Sequence, residues 1–558
     1  MSSEIVFEGN RYAIDENIAN TCYPVVSWSM SSGKTYKATH GHFARMLEHV
    51  SGQSIEGLVV LAVPTTALCD EVLSKYGDCT EALESDDLLF PDVSSDKVKV
   101  CCFGKLAHLI KDGCKLYAPG LLIVDECDLI AKWAVCFDGY AQTWDWIAFN
   151  RPKMKFLALT ATPQFLTEYV NNHGAFGNVY DRCGFRFVDI TPNSEPKHHA
   201  EHAYMAKDTH VETLIAAANP SAENKVLVYV QSARRVEELA AKFAHSAFIV
   251  SSGNDKASRI DGTPICERLS AQRFIAIDET NAFVQEREYS IHEYLNTFHE
   301  LPESVNLLII NDAASTGINI EDKRVKTVIC KSIDIATICQ AKGRVRHDIE
   351  RLYLTYSDGD IAMCGQANKA ALNYFNLGEL PIGYDEHFFR HDEKTKGDIL
   401  CYPNSEKLLV DNVFAKAMCA YRKDACRALW DSPASFFESL NKETQHRTIE
   451  WLNDYSKEQL RVAARRFKDV AAIDWRQSFG LSESAPQIYL TAKEMNNALK
   501  HVHIRKPNRN EYGLATMVDE ANASGQVLIF QEQKKKRRID GEGVKRNTKW
   551  YCVSLPCS

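Results

Sequence analysis

Short runs made wholly or mainly of apolar and β-branched residues recur along the first 360 residues, and polar turns follow them. Continuous apolar runs of this length are typical of strands buried on both faces of a parallel sheet. The runs are 23–26, 58–63, 98–103, 121–124, 155–159, 225–230, 247–250, 305–310 and 325–331. Segments with helical spacing alternate with them, among them 36–50, 67–76, 233–243 and 291–298. The alternation predicts two α/β units, each built on a parallel sheet.

Between the two units, residues 171–207 are rich in glycine, proline and histidine. Three histidines, His198, His199 and His202, stand close together, but Glu201 is the one nearby cysteine or acid that forms a clear ligand pattern with them. We therefore interpret the segment as an irregular, solvated connection and not as a metal site.

Residues 29–35, with the sequence S-M-S-S-G-K-T, lie between the first apolar run and a predicted helix. A Ser/Gly turn at a helix N-terminus presents N–H groups to an anion, and the helix dipole adds positive potential. Lys34 is predicted to reach the β- and γ-phosphates of a nucleotide, and Thr35 to hold Mg²⁺. The other residues that would line the phosphates are Met30, Ser31, Ser32 and Gly33. The alternative is a Ser-Gly turn with a solvated lysine, because Trp28 stands where such loops carry glycine.

Acidic and hydroxyl side chains follow two later strands. The run 121–124 ends in D-E-C-D, at the edge where open α/β sheets bind ligands. Asp125 can hold Mg²⁺ through water, and Glu126 can orient or deprotonate a water that attacks a γ-phosphate. A helix N-terminus stabilised by acids is the alternative. Thr160 and Thr162 follow the run 155–159 and are predicted to link the nucleotide site to a neighbouring surface.

Taken in order, these motifs resemble those of superfamily 2 helicases. S-S-G-K-T resembles motif I, P-T-T at 64–66 motif Ia, D-E-C-D motif II and T-A-T-P motif III. Residues 311–320, N-D-A-A-S-T-G-I-N-I, resemble motif V, and Q-A-K-G-R-V-R at 340–346 resembles motif VI in its Q-x-x-G-R-x-R form. The resemblance covers residues 15–360, and it departs from the family at Trp28, at Ser31 and at the position after Gln340, which lacks arginine.

The resemblance implies two tandem RecA-like domains that bind ATP and Mg²⁺ in the cleft between them. It implies that Arg344 and Arg346 stabilise the transferring γ-phosphoryl group, and that Gln340 touches the nucleotide or the phosphate loop. Gly317 and Asn319 would approach the nucleotide. Closing and opening of the cleft would step the protein along a nucleic-acid strand. The residues implied to contact nucleic acid are Pro64, Thr65, Ser232, Ser315 and Thr316.

Beyond residue 362 the chain is predicted to be mostly helical and to end in a winged-helix-like module. Helices are predicted over 410–430, 433–440, 444–467 and 491–502, the last with Thr491 as N-cap, and strands over 526–530 and 550–553. The basic residues at the tip of the resulting hairpin are Lys534, Lys535, Lys536, Arg537, Arg538, Lys545 and Arg546. They would contact phosphates. A nuclear-import signal or a solvated basic loop are the alternatives. The predicted domains are 1–185, 186–362, 363–485 and 486–558.

Composition narrows the class of protein without deciding it. The 558 residues carry a net charge of −9, which argues against a general basic coat for nucleic acid but allows a local basic groove. The 18 cysteines form no C-x-x-C pair, so we interpret them as small buried hydrophobes. We find no apolar window of ~18 residues and no secretory signal. A cytoplasmic or host-cell replication compartment is therefore expected.

These observations lead to three functional hypotheses. The first is an ATP-dependent helicase or translocase that acts on DNA in replication, resembling viral, phage and origin-binding helicases. The second is an RNA helicase or a translocase that remodels complexes. The third is a site-specific DNA-binding protein in which the ATPase cleft works as a switch. Nucleic acid is the expected partner in each, replication proteins are further candidates, and no membrane is expected.

Overall fold

We describe the fold from a computed structural model of the whole chain. The residues that it describes are 4–29, 32–90, 93–111, 116–135, 139–173, 185–192, 198–206, 210–250, 259–260, 263–264, 273–278, 285–311, 318–357, 389–392, 397–401, 407–409, 414–431, 446–451, 479, 481, 487–491, 495, 518, 527–537 and 546–554. The chain divides into two compact units, Met1–Ala464 and Arg465–Ser558.

The first lobe, residues 4–192, is a seven-stranded parallel sheet with helices on both faces. Its strands are β1 (Glu4–Phe7), β2 (Asn10–Ala13), β3 (Tyr23–Val26), β4 (Val59–Val63), β5 (Thr80–Ala82), β6 (Val98–Cys102), β7 (Leu121–Val124), β8 (Lys155–Leu159) and β9 (Phe187–Asp189). Strands β1 and β2 form a separate hairpin, and the main sheet has the order β5-β6-β4-β7-β8-β3-β9. The strands that carry the predicted motifs, β3, β4, β7 and β8, are therefore neighbours in the middle of the sheet.

The helices of the first lobe pack against the two faces of this sheet. They are α1 (Glu16–Thr21), α2 (Lys34–Thr39), α3 (His42–Ser51), α4 (Thr66–Lys75), α5 (Phe103–Lys111), α6 (Cys127–Trp133), α7 (Tyr140–Asn150), a 3-10 turn (Arg151–Lys153), a π-helical segment (Phe165–Val170) and α8 (Asn171–His173). One apolar cluster includes Val25, Leu122 and Trp144, and the cluster on the other face includes Phe43, Leu61 and Ile123. Alternate residues of a strand thus enter different cores, as expected for a strand buried on both faces.

The second lobe, residues 198–357, repeats this plan. Its elements are β10 (Ala200–Met205), α9 (Val211–Ala218), β11 (Lys225–Val230), α10 (Ala233–Lys242), β12 (Ser246–Ile249), β13 (Arg259–Ile260), β14 (Thr263–Pro264), β15 (Phe274–Asp278), β16 (Gln285–Tyr289), α11 (Ile291–Phe298), β17 (Leu307–Ile310), β18 (Val325–Lys331), α12 (Ile335–Gly343) and β19 (Ile349–Thr355). The main sheet is parallel, in the order β12-β17-β11-β18-β19-β10-β23, where β23 (His446–Trp451) comes from farther along the chain. Two tandem RecA-like parallel-sheet domains are therefore confirmed.

The chain after the second lobe returns to both lobes. After the small antiparallel sheet of β20 (Phe389–Asp392), β21 (Gly397–Cys401) and β22 (Lys407–Leu409), helix α13 (Ala415–Asp431) begins. Phe414, Met418 and Tyr421 join a core cluster of the first lobe, whereas Cys426 joins one of the second lobe. Strand β23 then pairs in parallel with β10 at the edge of the second sheet. Helix α13 was predicted over 410–430 and is confirmed in the described part.

Several predicted elements differ from the structure. The helix predicted over 36–50 is two helices, α2 and α3, because Gly41 between them has a φ of +70°. The irregular connection predicted over 171–207 is wrong at β9 and β10, which are strands of the two sheets and place His202 within β10. The helix predicted over 444–467 is wrong at β23. Strand β9 also lies beyond the boundary predicted at residue 185, in the first sheet.

The C-terminal unit contains a three-stranded antiparallel sheet. Its strands are β24 (Gln487–Thr491), β25 (Leu528–Arg537) and β26 (Arg546–Ser554), in the order β24-β26-β25. Met495 and Val527 pack with Ile529 and Val553 in its core. The β25–β26 hairpin confirms the predicted pair of strands. Thr491 was predicted to cap a helix, but it ends a strand because it pairs with Trp550 of β26. The helix predicted over 433–440 lies outside the described residues.

In the part of the chain that the structure describes, no helix has the length and apolar character needed to span a membrane. Within the same residues, no group of three or more histidine, cysteine and acidic side chains is arranged as a metal site.

Candidate nucleotide site

The phosphate loop connects β3 to α2, at the carboxyl edge of the first sheet. Gly33 has a φ of +85°, a left-handed conformation that favours glycine, and it precedes Lys34 at the start of α2. Lys34 is only 7% exposed, and its ammonium group donates hydrogen bonds to the carbonyls of Trp28 at 2.6 Å and Ser29 at 3.1 Å. Burial lowers the pKa of Lys34, while Glu126 and Asp125 oppose that shift. The lysine is therefore folded against its own loop, where phosphate oxygens could replace the two carbonyls.

Trp28, which stands where a glycine is usual, packs beneath the loop. Its ring lies 5.8 Å from the ring of Tyr12 and 5.8 Å from that of Phe43, and the Lys37 ammonium lies 4.4 Å from its centroid. The indole therefore supports the loop from the core side. Met30 and Ser31 lie outside the described residues.

The two acids predicted for metal binding and catalysis follow β7, two strands from the phosphate loop. The Thr35 hydroxyl donates to Asp125 Oδ2 at 2.9 Å, and the Glu126 N–H donates to Asp125 Oδ1 at 3.0 Å. Burial raises the pKa of both carboxyl groups, and for Glu126 the neighbouring charge of Asp125 adds to this. Glu126 has a φ of +47°, which is uncommon for a residue other than glycine and typical of functional turns.

Asp128, the last residue of D-E-C-D, connects this turn to the end of β8. It is fully buried and accepts hydrogen bonds from the hydroxyls of Thr160 and of Thr162, the latter at 2.7 Å. The Thr162 N–H in turn donates to the Thr160 hydroxyl at 3.0 Å. Burial raises the pKa of Asp128, and Lys132 opposes the shift. Thr160 and Thr162 therefore contact the acidic turn through Asp128, which the motif pattern alone did not specify. Their role in linking the nucleotide site to a neighbouring surface stays a prediction.

The second lobe brings the residues after α12 to the acids. Arg344 is 5% exposed, and its Nη2 atom lies 3.9 Å from Glu126 Oε1. Arg346 Nε donates to Asn319 Oδ1 at 2.7 Å. Burial, and then the positive charge of Arg344, lower the pKa of Arg346 to about 10. Gln340 is 2% exposed and lies one helical turn before Arg344. The Arg344 Nε atom donates to the backbone carbonyl of Gln340 at 3.3 Å. Both arginines are thus held close to the acidic turn of the opposite lobe.

Four buried polar atoms around this cleft have no hydrogen-bond partner among the described residues. They are Ser32 Oγ, Glu71 Oε2, Glu126 Oε2 and Gln340 Nε2. Buried polar atoms without partners are costly, so a polar ligand between the lobes would satisfy them. The Thr35 hydroxyl and the Asp125 carboxylate supply the oxygen ligands that Mg²⁺ prefers, and the donor set therefore fits this ion.

A second contact between the lobes lies behind the acidic turn. The Lys132 ammonium of α6 lies 3.1 Å from Asp334 Oδ1, and Asp334 also accepts from the Tyr421 hydroxyl of α13. The same ammonium lies 4.5 Å from the Tyr421 ring centroid. The predicted motifs gave no sign of this contact, since none of its three residues belongs to them.

The residues implied to contact nucleic acid are distributed more widely. Pro64 and Thr65 follow β4, and the Thr65 hydroxyl caps α4 by accepting from the Leu68 N–H at 3.2 Å. Ser232 is exposed at the start of α10. Ser315, Thr316 and Gly317 lie outside the described residues, as do Arg538 and Lys545. Lys534, Lys535, Lys536 and Arg537 are in β25, so the strand extends through the basic run, and Arg546 begins β26.

The fold and the cleft together define a class of protein. Two parallel-sheet lobes place a phosphate loop and two acids opposite a pair of arginines, which is the arrangement of a two-lobed P-loop nucleoside triphosphatase. Residues 12–169 match the model of the DEAD/DEAH box helicase family. Residues 12–169 therefore form a domain similar to the DEAD/DEAH box helicase domain of superfamily 2, and the chain is an ATP-hydrolysing enzyme.

Solved helicase structures resemble this chain weakly. The S. cerevisiae protein Dbp5 bound to RNA and ADP BeF3 is 11% identical, with 81% of this chain and 91% of that chain covered and a TM-score of 0.39. The helicase Lhr of Mycobacterium smegmatis bound to ssDNA and AMP-PNP is 13% identical, with coverage of 80% and 53% and a TM-score of 0.35. The Escherichia coli DEAH/RHA helicase HrpB is 15% identical, with coverage of 93% and 63% and a TM-score of 0.35.

These TM-scores lie below 0.5 and assign no substrate to this chain. No curated protein matches it in sequence.

Proposed function

We propose that this protein is an ATP-dependent nucleic-acid helicase or translocase, with hydrolysis at the cleft between the two lobes. The observation that carries the proposal is the convergence of Lys34, Asp125 and Glu126 from one lobe with Arg344 and Arg346 from the other. Hydrolysis that depends on both lobes gives the cleft two states, closed and open, which is what directional movement on a strand requires.

Each residue has a distinct role in the proposed hydrolysis. Lys34 leaves the two loop carbonyls and binds the β- and γ-phosphate oxygens. Glu126 accepts a proton from the attacking water. At the same time the water oxygen bonds to the γ-phosphorus, and the bond between the γ-phosphorus and the β–γ bridging oxygen breaks, which releases ADP. Thr35 and Asp125 would hold Mg²⁺, which neutralises charge on the phosphates when bound. Arg344 and Arg346 stabilise the charge on the transferring group, and Gln340 touches the nucleotide or the loop.

The remaining motif residues are assigned further contacts to the nucleotide and to the nucleic acid. Met30, Ser31, Ser32 and Gly33 would line the phosphates, and Gly317 and Asn319 would approach the nucleotide. The proposed nucleic-acid contacts are Pro64, Thr65, Ser232, Ser315, Thr316 and the basic residues between 534 and 546. Thr160 and Thr162 would transmit the state of the nucleotide site through Asp128, because all three share one buried hydrogen-bond network.

DNA is the substrate that we propose, with a role in replication of a viral or phage type in a cytoplasmic or host-cell compartment. The basic run in β25 and the start of β26 supports this choice, since a two-stranded ribbon with phosphate-binding residues suits duplex or strand contacts.

The test is steady-state ATP hydrolysis by the full chain and by Lys34→Ala, with no nucleic acid, with single-stranded DNA or with single-stranded RNA. We expect stimulation by DNA in the wild type and a loss of at least about 100-fold in Lys34→Ala, because the lysine contacts the transferring phosphates. Lys37→Ala is the matched control, since Lys37 lies on the same helix but over the Trp28 ring. We expect it to retain hydrolysis.

Other outcomes would redirect the assignment. Preferential stimulation by RNA would contradict the DNA substrate and favour an RNA helicase. Absence of hydrolysis under every condition would overturn the proposal and favour a nucleic-acid-binding protein. Hydrolysis without displacement of a labelled strand would favour a translocase or a switch.

A further inference from the structure

Glu71 of α4 belongs to none of the predicted motifs, yet it faces the nucleotide cleft. Its Oε1 atom accepts a hydrogen bond of 3.0 Å from the Asn319 Nδ2 atom, which belongs to the opposite lobe. Its Oε2 atom is buried and has no hydrogen-bond partner among the described residues. A carboxylate in this setting needs a cationic or hydrogen-bond-donating neighbour, and the second lobe supplies both.

The Asn319 amide is held at both ends. Its Nδ2 atom donates to Glu71, and its Oδ1 atom accepts from Arg346 Nε at 2.7 Å. A carboxylate can only accept and a guanidinium can only donate, so these two partners fix which end of the amide faces which lobe. The three side chains therefore form a hydrogen-bond network with fixed donors and acceptors, which connects Glu71 of the first lobe to Arg346.

Charge supports the same arrangement. Glu71 stabilises the protonated forms of Arg344, which is buried, and of Arg346, which is partly buried, and the two lie near each other at the acidic turn. Two neighbouring guanidinium groups repel each other, and a carboxylate on the facing lobe reduces that cost. Glu71 therefore orients Arg346 through Asn319 and also offsets the repulsion between the two arginine charges.

We propose that Glu71 is a positioning residue for ATP hydrolysis, which through Asn319 orients Arg346 when the lobes are closed. The inference rests on the proposed function, because it assigns Arg346 to the transferring γ-phosphoryl group. Glu71 acts through Asn319 and Arg346 and takes no part in bond making.

The first measurement is kcat and KM for ATP in Glu71→Ala and Glu71→Gln. Alanine removes the acceptor, so we expect kcat to fall about tenfold or more while KM changes little. Glutamine keeps an acceptor oxygen for Asn319 but lacks the charge of Glu71, so its kcat should lie between that of Glu71→Ala and that of the wild type. Asp70→Asn is the matched control, because Asp70 is the adjacent acid on the same helix and is exposed.

An exchange of partners supplies a readout that a structural role would not give. Asn319→Asp places a carboxylate opposite Glu71, and we expect kcat to fall at least about tenfold. When Glu71→Gln is added, the amide N–H of the glutamine side chain at position 71 can donate to the carboxylate at position 319. That carboxylate can still accept from Arg346. The double variant should therefore return to within about threefold of wild type. Both changes keep the side-chain size, and thermal unfolding midpoints check that each variant is folded.

The outcomes separate this inference from the proposed function. Wild-type kcat in Glu71→Ala, or no recovery in the Glu71→Gln/Asn319→Asp variant, would overturn the positioning role alone. A wild-type chain that hydrolyses no ATP would overturn the proposed function and this role with it.

Discussion

At the scale of residues, Asp128 is a buried side chain of the site that depends on two hydroxyl donors. Its carboxylate is fully buried, and the hydroxyls of Thr160 and Thr162 each donate to one of its oxygens. A buried carboxylate without such donors lowers the stability of the folded state strongly. Each hydroxyl is therefore expected to contribute measurably to the free energy of unfolding.

Replacing either threonine by valine tests this point. Thr160→Val and Thr162→Val keep the side-chain shape but remove a donor, and each should lower the free energy of unfolding by ~1–3 kcal/mol. The measurement is denaturant unfolding at neutral pH. Thr167→Val is the control, because among the described residues the Thr167 hydroxyl donates to the backbone carbonyl of Pro163, at 3.1 Å, and to no buried carboxylate. A loss as large there would contradict the special role of Asp128.

The sequence could predict individual site residues but not their partners. Lys34, Asp125 and Arg344 follow from local motifs, since strand ends and helix starts place them. Glu71 and Asn319 are 248 positions apart, and neither lies in a pattern that demands the other. Contacts of this kind depend on how two finished lobes meet, which local periodicity does not encode.

At the scale of elements, three helices meet at Asp334. It caps the N-terminus of α12, binds Lys132 of α6 and accepts from Tyr421 of α13. Burial alone would raise the pKa of Asp334, but Lys132, Tyr421 and Thr337 outweigh it and hold the pKa at about 2. The ionised carboxylate therefore stabilises the packing of all three helices.

The pH dependence of stability follows from this shift. An unfolded aspartate titrates near 3.8 and the folded one near 2, so the contribution is complete above about pH 4 and is lost as the pH falls toward 2. The shift corresponds to ~2 kcal/mol. Asp334→Asn should lower the free energy of unfolding by about this amount at pH 7, and the difference from wild type should shrink as the pH falls and vanish below about pH 2.

Strands that are buried on both faces of a sheet could be predicted from their own sequences. The runs at β3, β4 and β7 are apolar because helices cover both faces of the sheet. Strand β23 was assigned to a helix because its residues mix charged and apolar types, and its partner in the sheet, β10, lies far away in the chain. An edge strand of this kind is specified by its neighbour more than by its own composition.

At the scale of the whole molecule, the acidic chain concentrates a basic run in its C-terminal unit. Lys534, Lys535, Lys536 and Arg537 follow one another in β25, against a net charge of −9 for the chain. Proposed phosphate contacts here would release counterions on binding, and the affinity would therefore depend on salt.

Replacing these four residues by glutamine measures how many of them bind phosphate. For each ion pair with a phosphate that the substitutions remove, the slope of log K against log salt should decrease by about 0.7–0.9, so removing four would reduce it by about 3. Fluorescence anisotropy with labelled DNA at several salt concentrations gives the slope. An unchanged slope would assign the basic run to solvent or to another partner, while the ATPase activity without nucleic acid serves as the control.

The path of the chain after the second lobe affects how the protein responds to cleavage. A protease that cut between residues 192 and 198 would separate the two lobes in sequence. However, Phe414, Met418 and Tyr421, which belong to the C-terminal fragment, are packed in the core of the N-terminal fragment. The two fragments should therefore stay associated through gel filtration without denaturant. The same packing suggests that the lobes can be produced as two separate polypeptides that assemble when coexpressed.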